Sequence, residues 1–156
     1  MHHLGNYQNR QVYWLDYGQQ PHQLPEGNWV CLAVANTKPD GDRFDKFIRL
    51  SIDHHVLEFK AQGLFAELLH DCFDETIVLM KAMEGREDID IMTTWHTDDP
   101  LADAFWQCFC ATCLPVNTDV DNSKIICMDL NGVDRSDELK SYMREFELGW
   151  LPGEKV

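Results

Sequence analysis

The sequence predicts an α/β three-layer sandwich, in which helices cover both faces of a mainly parallel β-sheet. Three observations predict this class. Apolar runs of strand length alternate four times with segments of helical periodicity. The runs are apolar at nearly every position, as strands covered on both faces require. Alternating strands and helices usually fold as a parallel sheet with right-handed crossovers.

The length and composition are those of one folded domain. The chain has 156 residues, of which 44% are hydrophobic and 26% charged, so it can bury a core. We find no repeat or linker, and expect a single domain over residues 1–156, with an N-terminal edge strand and loop in residues 1–26 and a short tail in residues 148–156. No apolar run reaches the roughly 18 residues of a membrane span and no signal peptide is apparent, so a cytoplasmic location is expected.

The first elements are an edge strand, a buried strand and a helix. Residues 12–17 form the apolar piece of the N-terminal segment, whereas His2 and His3 lie at a terminus that we expect to be mobile and receive no role. The unbroken apolar run of residues 29–35 predicts the first parallel strand. From Asp42 the period changes to that of a helix ending near His55.

The middle of the chain predicts a strand, a long helix and a strand. The strands are residues 56–61 and 89–95, and the helix ends at Gly85. Nine helix residues fall within one stripe, which we expect to face the core: Phe65, Leu68, Leu69, Cys72, Phe73, Thr76, Leu79, Met80 and Met83.

The last third predicts helix, strand and helix. Asp99 is a good N-cap and Pro100 a good first helical residue for a helix over residues 101–112. Residues 124–130 form the fourth parallel strand, and a final helix lies around residues 139–146. We expect the four parallel strands in the order 2-1-3-4, as in flavodoxin, with the N-terminal strand at an edge.

Part of the chain resembles an uncharacterised family of bacterial α/β domains. The resemblance covers about residues 54–115. It depends on the strand that ends at Gly63, on the helical run His70-Asp71-Cys72-Phe73-Asp74-Glu75, and on Thr93-Thr94-Trp95-His96 before the next helix. It implies the same fold. It implies no catalytic residue, because no activity is known for that family.

The charge of the chain constrains its partners. Thirteen Lys and Arg stand against 27 Asp and Glu, which gives a net charge of −14. Such a field repels phosphate backbones and anionic lipids, so neither nucleic acid nor a membrane surface is expected as a partner. A basic protein surface would be attracted. The alternative is that the acidity only keeps the domain soluble.

The expected position for a ligand is the carboxyl edge of the parallel sheet. If the first and third parallel strands are neighbours, Lys38 and His96 face one crevice. Lys38 would then bind an anion, His96 would exchange a proton and Thr94 would donate a hydrogen bond. The alternative is that the turn after the third strand, which contains Trp95 and His96, is purely structural.

Familiar motifs for cofactors, metals and nucleophiles are missing. There is no Gly-rich dinucleotide turn, no phosphate-binding loop and no Gly-x-Ser-x-Gly elbow, so we expect no cofactor and assign no catalytic residue. His70 and Asp74 share a helical face, but the apolar stripe points elsewhere, so we interpret them as part of a solvated acidic face and not as a metal site. Cys108 and Cys110 lie about 200° apart around their helix and cannot readily bind one ion, so no metal is expected.

The third helix suggests an interface. Trp106 and Cys110 lie away from its core stripe, so most of its circumference is apolar. Either the N-terminal segment or the tail of the same chain covers this surface, or another protein does.

Two classes of function therefore remain. The first is a non-catalytic acidic interaction protein, immunity-like or regulatory, that binds a basic protein partner; a homo-oligomer is also compatible with the sequence. The second is a small-molecule-binding protein or enzyme that uses Lys38, Thr94 and His96 at the strand ends.

Overall fold

The computed structural model describes residues 1–153, so the last three residues of the predicted tail lie outside the described residues. The predicted α/β sandwich is confirmed: a six-stranded, mostly parallel sheet is packed with four helices. The strands are β1 (His2–Tyr7), β2 (Arg10–Trp14), β3 (Trp29–Val34), β4 (Val56–Gln62), β5 (Met92–His96) and β6 (Lys124–Asp129). The helices are α1 (Gly41–Asp53), α2 (Ala66–Glu84), α3 (Leu101–Cys110) and α4 (Ser136–Glu147), with a 3-10 turn at Val120–Asn122.

The order of the strands differs from the prediction. The sheet runs β1-β2-β6-β3-β4-β5, so the four predicted parallel strands lie in the order 4-1-2-3 instead of 2-1-3-4. The physical reason lies in the side chains of β5, where Thr93 and Thr94 are half-buried and Trp95 is exposed. Strand β3, in contrast, is buried at every position. The least apolar strand occupies the edge, and the fully apolar strand occupies the centre.

The N-terminal segment is a hairpin rather than a single edge strand. Gln8 and Asn9, both with positive φ, connect β1 to β2, as in the two-residue turns whose twist matches that of the strands. Strand β2 pairs antiparallel with β1 and parallel with β6, so it lies inside the sheet. His2 and His3, expected at a mobile terminus, belong to strand β1.

Helices cover both faces of the sheet, and the central strand contributes to both cores. Trp29, Cys31 and Ala33 of β3 pack in the cluster that includes α1 and α2. The alternate residues Val30 and Leu32 pack in the cluster that includes α3 and α4. Strand β3 is therefore covered on both faces, which explains why its residues are apolar at every position, as the sequence predicted.

Candidate functional site

The structure separates Lys38 from His96. Lys38 is exposed in the loop after β3, and His96 is the last residue of β5. Strand β4 lies between these two strands, and neighbouring strands are about 4.8 Å apart, so β3 and β5 are roughly 10 Å apart. The predicted crevice between neighbouring first and third strands is therefore wrong. Its cause is the strand order, which periodicity does not determine.

Thr94 and His96, in contrast, do lie together. The Oγ1 of Thr94 is 3.2 Å from Nε2 of His96, and Nδ1 of His96 is 2.9 Å from Oδ2 of Asp99. Only 8% of His96 is exposed, whereas the Asp99 side chain is 46% exposed. This series of hydroxyl, imidazole and carboxylate is the arrangement in which a carboxylate orients a base toward a hydroxyl group. Asp99 thus orients His96 instead of capping α3, the role that the sequence predicted for it.

A buried ion pair lies on the same face of the neighbouring strand. The Nζ of Lys60 is 2.9 Å from Oε1 of Glu58, and each side chain is only 1% exposed. Lys60 also donates to the carbonyl of Ala111, and Glu58 accepts the backbone N–H of Cys113. These bonds fix the chain where α3 ends.

Arg10 of β2 supports the same turn. It is 2% exposed and donates to the carbonyls of Cys108 and Ser123. Burial lowers the pKa of Arg10, but the negative end of the α3 dipole favours a cation here. Arg10, Glu58 and Lys60 were not predicted as site residues. For Glu58 and Lys60 the sequence did carry a signal, because two charged residues occupy alternate positions of an apolar strand.

The outer face of α2 carries large apolar side chains that the core does not cover. Together with β5 it forms what we call the α2–β5 surface, which consists of Leu68, Val78, Leu79, Met83 and Trp95. Val78 is 63% exposed, Leu79 53%, Met83 79% and Trp95 50%. The prediction that Leu68, Leu79 and Met83 face the core is therefore wrong. The residues that the helix does bury form a narrower stripe: Ala66, Leu69, Phe73, Thr76 and Met80.

Carboxylates occupy the first half of the same helix. Glu67, Asp71, Asp74 and Glu75 lie on α2, where Lys81 is the only Lys or Arg. Asp74 accepts a hydrogen bond from Thr93 of β5 and therefore joins the helix to the edge strand.

His70 lies at the same junction of α2 and β5. Its Nδ1 is 3.1 Å from Asp71, its Nε2 is 3.3 Å from Asp74, and its ring packs on Trp95 at 4.4 Å between centroids. Within residues 1–153, no group of three or more His, Cys, Asp or Glu is placed to hold a metal ion.

The helix predicted as an interface is partly covered by the chain itself. Trp106 is half-buried against the second core cluster, and Cys110 is exposed at the end of α3. Tyr7 of β1 packs edge-to-face on Phe109 of α3 at 4.9 Å between centroids. Burial raises the pKa of Cys110, which keeps this thiol protonated. The N-terminal hairpin, one of the two coverings that the sequence suggested, thus packs against α3.

A cavity of about 280 Å³ lies at the carboxyl ends of β2 and β6. After β2 the chain turns toward the face of the sheet that carries α1, where Tyr17 packs on Phe47. After β6 the chain continues into α4, which covers the opposite face. This divergence is the topological switch at which α/β sheets form crevices. Asp16, Asp129 and Asp134 are among its lining residues, but Asp129 is paired with Arg135 at 2.7 Å and serves the turn into α4.

The parallel order β2-β6-β3-β4-β5, with helices on both faces and connections that diverge at the carboxyl edge, defines a doubly wound α/β domain. The chain belongs to the family described as Domain of unknown function (DUF7684), whose model matches residues 12–146. An uncharacterised family is what the motifs of residues 54–115 predicted. Neither a curated protein nor a solved structure matches the chain. Among the described residues, no helix is long and apolar enough to cross a membrane.

Proposed function

We propose that this chain is a non-catalytic, acidic interaction domain of the bacterial cytoplasm that binds a basic protein partner through the α2–β5 surface. One observation carries the proposal: Val78, Leu79 and Met83 are exposed apolar side chains on α2, and Val78 and Leu79 line one shallow depression together with the carboxylates Asp74 and Glu75. Contiguous apolar patches are uncommon on monomeric proteins and mark places where another molecule binds.

The chemistry of the surface specifies the partner. An apolar centre within a charged rim is the usual anatomy of a protein interface, in which the centre supplies most of the affinity. The carboxylates of Glu67, Asp71 and Glu75 would attract Lys and Arg side chains. The net charge of −14 would also accelerate the encounter with a basic protein. We therefore expect a partner that presents an apolar residue flanked by cations.

A second copy of the same chain fits this surface less well. Two α2–β5 surfaces brought together would place like carboxylates opposite each other, and like charges across an interface are unfavourable. We therefore propose a hetero-complex as the functional state, and the mass of the protein in solution tests that part of the proposal.

The test uses a photo-reactive amino acid in place of Met83, which is 79% exposed. The cross-linked protein is identified, purified and titrated calorimetrically against the unmodified chain. Leu79→Asp is expected to weaken the complex by roughly tenfold or more, as truncation of a central interface residue does. Leu148→Asp is the matched control, because Leu148 is 88% exposed but lies after α4. Equal affinity of both variants and the unmodified chain would contradict the proposal.

A second candidate function rests on the series of Thr94, His96 and Asp99. Its distances of 3.2 and 2.9 Å would allow His96 to take a proton from the hydroxyl of Thr94, as in hydrolases that form an acyl intermediate. The test is hydrolysis of p-nitrophenyl acetate by the purified protein. Activity that is lost in both Thr94→Val and His96→Ala would support this function, and an unchanged rate in His96→Ala would remove it.

A further inference from the structure

Strand β5 forms an open edge of the sheet. Among the strands that the structure describes, it pairs only with β4, with Phe59 opposite Thr93 and Gln62 opposite His96. The backbone N–H of Gly63 donates to the carbonyl of His96 at 3.3 Å, so the backbone groups of His96 face β4. Successive residues of a strand direct these groups to opposite sides, which places the N–H and C=O of Thr93 and Trp95 on the outer side. Within residues 1–153, no backbone or side-chain hydrogen bond reaches them.

This edge lacks the features that normally protect an edge strand. Proline, lysine, a bulge or a covering element usually prevents an edge from pairing with another chain. Residues Met92–His96 contain neither proline nor lysine, and their pairing with β4 continues without a register shift. The opposite edge is different, because β1 has an irregularity between His3 and Gly5. The two edges of one sheet thus differ in protection, and the unprotected edge is the one beside α2.

We propose that the edge of β5 accepts an extended, basic segment of the partner as an additional strand, an inference that rests on the proposed function. Charge complementarity identifies the occupant. Asp90 precedes β5 and Asp98 follows it, both exposed, and Asp74 of α2 accepts a hydrogen bond from Thr93 in the middle of the strand. An extended segment with Lys or Arg at alternate positions would bring cations close to these three carboxylates. Strand addition supplies main-chain hydrogen bonds, and neighbouring side chains select the sequence.

The same carboxylates distinguish this occupant from a second copy of the chain. Two β5 edges paired together would bring these aspartates against one another, and like charges opposite each other across paired strands are destabilising. A dimer formed through β5 would therefore overturn the proposal. It would appear in analytical ultracentrifugation and would be lost in Thr93→Pro.

The experiment uses a blocked heptapeptide of alternating Lys and Val as the probe, titrated into the isotope-labelled full chain by NMR. The control peptide has proline in place of every valine, so it keeps the charge but lacks every second donor. We expect the control peptide to bind roughly tenfold more weakly or worse. We also expect slower exchange of the Trp95 amide when the valine peptide saturates the chain.

Two variants of Thr93 separate strand addition from plain charge attraction. Thr93→Pro removes an outward N–H that has no partner among residues 1–153, whereas Thr93→Val keeps that N–H and removes only the bond to Asp74. We expect Thr93→Val to bind the valine peptide as the unmodified chain does, and Thr93→Pro to bind it roughly tenfold more weakly. If Thr93→Pro does not fold, the Trp95 amide of the unmodified chain provides the test: slower exchange with bound peptide supports strand addition, and unchanged exchange contradicts it.

The possible failures can be told apart. Equal binding of both peptides, or an unchanged exchange rate of the Trp95 amide at saturation, would overturn strand addition. If Leu79→Asp still weakened the complex with the cross-linked partner, the proposed function would survive this result. If Leu79→Asp had no effect either, both would fail.

Discussion

At the scale of single residues, burial decides how much an ion pair contributes. The pairs Glu58–Lys60 and Arg49–Glu84 have almost the same length, 2.9 and 3.0 Å. Both side chains of the first pair are 1% exposed, whereas those of the second are 39% and 46% exposed. Removing one partner of a buried pair leaves an uncompensated charge in the core, whereas an exposed charge is solvated by water. The two pairs therefore form a matched comparison within one protein.

Glu58→Gln is expected to lower the free energy of unfolding by about 3 kcal/mol or more, because Lys60 would remain charged and buried. Glu84→Gln is expected to change it by less than about 1 kcal/mol. Urea denaturation monitored by circular dichroism measures both values. Similar losses in the two variants would show that the buried pair is solvated, contrary to its 1% exposure.

Gly63 carries a second residue-scale constraint. Its φ is 107°, and a Cβ built on it would lie 2.6 Å from the carbonyl oxygen of Ala35. Gly132 also has a positive φ, 83°, but a Cβ there would have no atom within 4 Å. We expect Gly132→Ala to lower the free energy of unfolding by about 1 kcal/mol through backbone strain alone. Gly63→Ala adds a steric clash to that strain, so its loss should exceed that of Gly132→Ala in the same urea experiment. Equal losses would contradict the close approach of β3.

At the scale of elements, helix α2 shows what periodicity predicts and what it leaves open. The stripe of nine residues correctly predicts a helix that ends at Gly85, where φ is 66°. It does not predict which part of the stripe is covered, because that depends on how far the sheet extends beneath the helix. Leu69 lies over the sheet and is fully buried, whereas Leu79, in the same stripe, is 53% exposed.

The two leucines should therefore differ in stability measurements. Leu69→Ala is expected to lower the free energy of unfolding by about 2–5 kcal/mol, because it leaves a cavity in the core. Leu79→Ala is expected to change it by no more than about 0.5 kcal/mol, as at other exposed positions. Thermal unfolding by calorimetry compares them directly. A large loss for Leu79→Ala would mean that this side chain belongs to the core and is not free to bind a partner.

The strands and helices could be predicted from the sequence because local patterns define them. The continuous run of β3 and the end of α2 at Gly85 are examples. The neighbours of each strand could not be predicted so directly. The useful signal was the polarity of β5, since Thr93 and Thr94 suit an edge better than a centre. The candidate site near His96 was therefore predicted in part: Thr94 and His96 lie together, but Lys38 lies two strands away.

At the scale of the whole molecule, the excess of carboxylates acts on both stability and binding. The chain has 27 acidic residues but only 13 Lys and Arg, so its negative charges repel one another. This repulsion is stronger in the compact folded state than in the unfolded chain. Sodium chloride screens charges that are more than about 8 Å apart at 0.15 M, but it screens the buried pair of Glu58 and Lys60 much less. The repulsion should thus weaken with added salt, while the main buried attraction is retained.

We expect the melting temperature to rise by roughly 2–4 °C between 10 mM and 500 mM sodium chloride, which corresponds to about 1 kcal/mol in a domain of this size. Calorimetry of the unmodified chain measures the rise. The matched control is a triple variant, Asp71→Asn, Glu75→Gln and Glu87→Gln, which neutralises three exposed carboxylates. Its melting temperature should depend less on salt.

The same salt should weaken the complex with a basic partner, because it screens the attraction on which the encounter depends. A chain that melts lower in salt while its complex tightens would contradict both effects, and would show that attraction between opposite charges dominates within the folded chain.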